Sequence, residues 1–139
     1  MNKESSWQDC LASGASARIS PDIAKARSLK STSEGRIAFL KELPIKESNA
    51  NYIFEGYYSS MLELMHGMVL VEGYAVSNHL CLGFYLRDIL HNPALFRLFD
   101  GCRYKRNSLV YYGKKMDFET AKEAIEKCKT LIEALRGKN

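Results

Sequence analysis

Six apolar residues near the end of the chain, Phe118, Ala121, Ile125, Cys128, Ile132 and Leu135, recur at spacings of 3, 4, 3, 4 and 3. That period makes one stripe along an α-helix and cannot line one face of a strand. The stripe is narrow, of the coiled-coil kind, so this helix has to lie along another long helix. Asp117 stands where an N-cap belongs and Gly137 where a helix closes. The Glu123 to Lys127 pair is in the favourable orientation and adds about 0.2–0.5 kcal/mol.

The natural partner lies in the middle of the chain. Phe54, Tyr58, Met61, Met65 and Met68 step by 4, 3, 4 and 3, and Tyr57, Leu62, Leu64 and Val69 widen the stripe. This predicts a helix over 51–72, closed by Gly73. Ser20-Pro21-Asp22 predicts an earlier helix start, with Ser20 as cap and Pro21 at the first helical position, running to about Leu43 before Pro44. The weak formers Ser31 to Gly35 predict a bend inside it. Ser77 can cap a short helix through Leu80, Cys81, Phe84 and Tyr85. Asn92-Pro93 starts a turn or two through Phe99, and a further helix spans Cys102 to Tyr112, ended by Gly113. No segment alternates long enough to be a strand. The expected fold is all-α, an antiparallel up-and-down bundle of four to five helices over residues 20–139. Residues 1–19, rich in Ser, Ala and Gly, are expected to form a flexible arm in which Trp7 can pin to the body.

A chain of 139 residues with 46% hydrophobic and 26% charged residues supports one domain with one core. The longest aliphatic run, Met68 to Val71, is far below the roughly 20 residues of a membrane span. The first residues lack the apolar stretch of a signal peptide, which places the protein in the cytoplasm. Cys10, Cys81, Cys102 and Cys128 form no CxxC pair, and in that setting they read as small buried hydrophobes. Three scattered histidines without an acidic triad predict no metal site, and no phosphate loop or paired-carboxylate motif predicts a cofactor.

Charge is uneven. From Arg97 to Lys115 there are six basic residues against Asp100 alone, a net of +5, so the rest of the chain sums to −1. Such a patch is either an inert solvated face or an attractor of phosphate-bearing partners. Within it lies Arg106-Asn107-Ser108-Leu109-Val110-Tyr111-Tyr112. On a helix Asn107 and Tyr111 are neighbours at i and i+4, with Arg106 toward the edge of that face. A guanidinium and an amide can clamp phosphate while a phenol stacks on a base or donates a hydrogen bond. Arg103, Lys105 and Tyr112 extend this candidate nucleotide- or RNA-binding set. The same tyrosines could equally fill a core with their hydroxyls at its rim.

From Tyr57 to Leu135 the chain resembles the HEPN family. The resemblance rests on Gly56-Tyr57-Tyr58 and Leu62-Glu63-Leu64, on Glu72 through His79, and on Arg106-Asn107 through Tyr111 followed by the helix from Asp117. It implies a helical and commonly dimeric protein, often a metal-independent ribonuclease, and in some members a companion of a small nucleotidyltransferase. The family motif is an arginine, a polar residue and a histidine further along. Arg106 and Asn107 fit the first two, and the histidine position falls on Tyr111. A ribonuclease of this type needs a proton-transfer group near pKa 7, whereas an ordinary tyrosine titrates near about 10. The resemblance therefore implies RNA or nucleotide binding with weak or no cleavage, Arg106, Asn107 and Tyr111 being the candidate catalytic residues. The alternative it implies is a non-catalytic interaction protein, a homodimer or a nucleotidyltransferase partner in a toxin–antitoxin-like pair. The tyrosine that accepts nucleotides in such toxins would fall at Gly113, so that acceptor is missing here.

Four further residues are weighed. His79 reads as a packed residue or a ligand, His66 as structural or interfacial, and Arg87 with His91 as a chance Arg-to-His spacing. The stripe of Met61, Met65 and Met68 reads as core or as an adaptable association surface.

Overall fold

The central helix is apolar on nearly every side, and this decides the layout. The computed structural model describes residues 4–137. In it α3 (Ala50–Val71) buries Ile53, Phe54, Tyr57, Tyr58, Met61, Leu64, Met65, Val69 and Leu70, so neighbours surround it. Helix α2 (Ile23–Lys41) runs back along one flank and α6 (Phe118–Arg136) along another. The buried stripe of α6, from Ala121 to Leu135, is the one its spacing predicts, and α3 is the long helix it lies against. Met61 and Met65 are fully buried core residues, while Met68 is half-buried beside α2. The result is the all-α bundle expected. No helix among the described residues is long and apolar enough to cross a membrane.

Helix α2 is unbroken through Ser31 to Gly35, where its propensity is poor, because tertiary contacts override it. Its small residues meet small residues of α3. The Ser33 hydroxyl, fully buried, donates to the Ser60 carbonyl at 2.7 Å. Gly67 sits against Ala26, and a Cβ on Gly56 would come within 2.9 Å of the Leu40 side chain. Arg36 crosses the seam to pair with Glu63 and also donates to the Ser60 hydroxyl at 3.2 Å. The cap of α2 is Asp22, accepting from the Lys25 amide, and not the expected Ser20.

Helix α5 (Pro93–Tyr112) is one continuous element where two were expected. Its Asn92 cap, its Pro93 and its Gly113 terminator at φ 64° are those read from the sequence. Between α5 and α6, the buried Asn51 amide of α3 clamps Met116 twice. It donates to the Met116 carbonyl at 3.0 Å and accepts from the Met116 amide at 2.9 Å. Asn51→Ala strands both backbone groups and is expected to cost about 1–3 kcal/mol in a urea unfolding curve. Asn51→Asp should recover only the bond from the Met116 amide.

The arm is where expectation and structure part. Residues 4–19 carry secondary structure packed on the body; residues 1–3 lie outside the described part. Trp7–Ser13 form α1, capped by Ser6, and Ser16–Arg18 form β1, paired antiparallel with β2 (Tyr74–Val76) in the register Ser16 to Val76. Three-residue strands are too short for alternation to reveal them. Trp7, only 1% exposed, meets the rings of Tyr74 and Tyr85 edge-on at 5.2 Å. Cys10 is bonded to Cys81 in α4 (His79–Phe84). The reading of all four cysteines as free buried hydrophobes is therefore corrected for this pair and retained for Cys102 and Cys128, which face each other at 3.6 Å in the core. Disulfides belong to oxidising surroundings, whereas the reading of these cysteines presupposed a cytoplasmic one.

Helix α4 is capped by Asn78 instead of the expected Ser77 and passes into a π-helical turn (Tyr85–Ile89). That turn grips the arm. Asp88 accepts from the Trp7 amide at 2.8 Å, and Arg87 donates to the Ser5 carbonyl at 2.9 Å. Arg87 is thus occupied with Asp88, the arm and the faces of Phe84 and Phe96, while His91 is exposed at φ 54°. They make no Arg–His site.

Candidate phosphate-binding cleft on helix α5

The second half of α5 carries three phenols that nothing covers. Tyr104, Tyr111 and Tyr112 are 72%, 68% and 77% exposed, far beyond a core role with the hydroxyl at the rim. Two hollows flank this helix. The outer one, about 520 Å³, is lined by Tyr104, Asn107, Ser108, Tyr111, Tyr112 and Lys114. The inner one, about 370 Å³, lies between α5 and the start of α4, with Arg103, Asn107 and Tyr111 on one side and Asn78, His79 and Leu80 on the other. Glu4 of the arm lines it too. Asn107 and Tyr111 belong to both hollows, as their i, i+4 spacing requires.

Arg106 lines neither hollow itself but lies against Tyr111, which lines both. Its guanidinium lies 5.7 Å from the Tyr58 ring and 5.6 Å from the Tyr111 ring, and it donates to the Tyr111 hydroxyl at 3.5 Å. Its pairing sets it apart. Five arginines among the described residues are half-buried, and four of them hold a carboxylate: Arg36 with Glu63, Arg87 with Asp88, Arg103 with Asp100 and Arg136 with Glu34. Arg106 has two aromatic faces and no carboxylate. Such faces offset desolvation by about 0.5–2 kcal/mol each and, apart from the one bond to Tyr111, leave the N–H fork unfilled. A planar donor fork in that state is suited to a phosphate.

Of the expected trio, Asn107 and Tyr111 share both hollows, and Arg106 meets them through the Tyr111 ring and hydroxyl. Of the wider set, Arg103 lines the inner hollow and Tyr112 the outer one. Lys105 lines neither; its charge acts on Asp117 and Cys102, toward α6. His66 lies apart, in a hollow with Lys25 and Leu29, where burial lowers its pKa.

Sequence reasoning left His79 undecided and did not single out Asn78 or give Tyr58 any role beyond the apolar stripe. Asn78 accepts from the Cys81 amide at 2.8 Å, which fixes the first turn of α4 and with it His79. The Tyr58 hydroxyl lies 3.3 Å from His79 Nδ1. Burial pushes the Tyr58 phenol above its ordinary range, so it stays protonated beside the imidazole. Burial first, and then the charge of Arg106, push His79 down to about 4. At pH 7 it is a neutral ring, with Nδ1 engaged by the Tyr58 hydroxyl. A cap asparagine directly before a histidine was the one signal in the sequence that could have pointed here.

This depression has a sign. In the unfolded chain His79 titrates near its ordinary 6.5, so as pH falls the unfolded state takes up the proton first. The stability held by neutral His79 is present above about 6.5, declines as pH drops toward about 4, and is then fully lost. Urea unfolding at pH 7 and pH 5 should show wild type weakening more than His79→Gln.

In comparisons with known proteins, no family model, no curated protein and no solved structure matches this chain.

Proposed function

We propose that the face formed by α5 and the first turn of α4 binds a phosphate-bearing ligand, single-stranded RNA or a nucleotide, in the manner of a HEPN-like domain. The observation that carries this reading is Arg106, a half-buried guanidinium between two phenol faces with no carboxylate to neutralise it. Phosphate would take the Arg106 fork, Asn107 would add its amide, and exposed tyrosines would stack on bases, as sequence-tolerant single-strand binding requires. Cleavage is expected to be weak or absent. Tyr111 occupies the motif histidine position, and His79, though in the same cleft, is at about 4 too weak a base to draw a ribose proton efficiently at pH 7.

The test is fluorescence anisotropy with a labelled single-stranded oligoribonucleotide over a salt series. Wild type should bind with an affinity that falls steeply with salt. Arg106→Ala should weaken binding by about tenfold to a hundredfold and flatten the salt slope. Equal binding by wild type and Arg106→Ala would remove the assignment.

A second reading, a non-catalytic partner protein acting as a homodimer or beside a nucleotidyltransferase, is favoured by one feature. Ile23 and Val71, each 43% exposed, border an apolar groove between α2 and α3. Light scattering at tens of micromolar distinguishes a dimer from a monomer.

A further inference from the structure

Of the three walls of the inner hollow, only the α5 wall belongs to a long helix. The second wall is the first turn of α4, a helix of six residues that passes into a π-helical turn. The third is Glu4, three residues before α1, a helix of seven residues. Helices this short have almost no stability of their own, so their position is set by what fastens them. The fastening is shared between the two. Cys10 of α1 is bonded to Cys81, the residue that follows Leu80 of the wall, and its amide is the one Asn78 caps. Trp7, on the same face of α1 as Cys10, is sealed beneath against Tyr74 and Tyr85 and hydrogen-bonded to Asp88 just beyond α4.

We propose that Cys10, Cys81 and Trp7 are positioning residues of the cleft: the chain presents Asn78 and His79 to Arg103 and Asn107 only when Cys10 and Cys81 are joined. This rests on the cleft being the binding site. Joining them takes two electrons and two protons from the thiols. Exchange with a small-molecule disulfide supplies the acceptor, which leaves as two thiols. Both cysteines are 0% exposed, so a thiolate can reach the bond only when α1 lifts. The oxidation state is therefore fixed as the chain folds, and afterwards a dithiol reverses it slowly. The binding face is conditional on where folding takes place.

The experiment compares the full oxidised chain with the double variant Cys10→Ser/Cys81→Ser. Three readouts are taken: far-UV circular dichroism, anisotropy with the labelled oligoribonucleotide, and titration of the His79 imidazole by NMR. The double variant is expected to keep its helical signal and lose about tenfold in affinity. Its His79 midpoint should rise from about 4 toward the ordinary 6.5 as the wall loosens and water enters. An unchanged midpoint with unchanged affinity would overturn the proposal. Loss of the helical signal would assign the bond to the whole fold and overturn it as well. Should neither form bind RNA, the reading of the cleft as an RNA site falls, and the His79 titration alone decides the positioning role. Dithiol treatment in mild urea should reproduce the double variant, and in buffer alone should act far more slowly.

Discussion

Trp7→Ala is expected to lower the unfolding free energy by about 3–5 kcal/mol, a large share of what a domain of this size possesses. The side chain is only 1% exposed and sits between the rings of Tyr74 and Tyr85, with the backbone amide tied to Asp88. Truncation leaves a cavity bounded by β2, the π-helical turn and α1, none of which collapses freely because each is also held elsewhere. Trp7→Phe should recover roughly half of the loss, since it restores the apolar contact but not the full volume. Urea denaturation followed by circular dichroism measures both. A loss below about 1 kcal/mol would mean that residues 4–19 are an appendage and not part of the core.

Removing the Cys10–Cys81 bond is the second large effect. The bond closes a loop with a separation of 71 residues, and the chain-entropy argument gives about 4 kcal/mol for a loop of that length. Most of that arises in the unfolded chain, which gains freedom when the link is cut. The double serine variant should therefore show a lower urea midpoint and a larger m-value, because its unfolded state is more expanded. Serine for Cys102 alone should behave differently. That thiol is sealed in the core opposite Cys128, so the loss there comes from burying a hydroxyl and stays near 1–3 kcal/mol.

These two variants fall in the part of the molecule that the sequence described least well. The long helices were legible because their information is periodic: Phe118 to Leu135 and Phe54 to Met68 declare a face, and Asn92-Pro93, Asp117 and Gly113 declare ends. The arm carries its information in single residues. One tryptophan, one cysteine and three residues of strand do not make a period, and pairing Cys10 with Cys81 requires knowing that α1 and α4 meet. The same limit governed the merging of 93–99 with 102–112, where Gly101 between them lies on an open side of α5 with nothing crowding it.

The cleft divides along the same line. Arg106, Asn107 and Tyr111 share one helix, and their relation follows from a fixed rotation per residue. His79, Tyr58 and Asn78 come from elsewhere, and only the packing of α4 across α3 and α5 brings them in. That Arg106 lacks a carboxylate could not be read in advance either, since Asp100 stands six residues before it and is taken by Arg103.

The seam between α2 and α3 bears on how the molecule can move. Ala26 on Gly67, Ser33 on Ser60 and Leu40 on Gly56 mesh at near-contact distances along its length, and Arg36 with Glu63 bolts it from outside. Two rods interlocked in that way cannot slide or roll without several simultaneous clashes, so they behave as a single stiff beam. Compliance is left to the flank of short helices, fastened by the Cys10–Cys81 bond, the Trp7 indole, the β1–β2 pairing and the Asp88 and Arg87 contacts. Whatever enters beside Arg106 would be accommodated by that flank, against a backstop that does not yield.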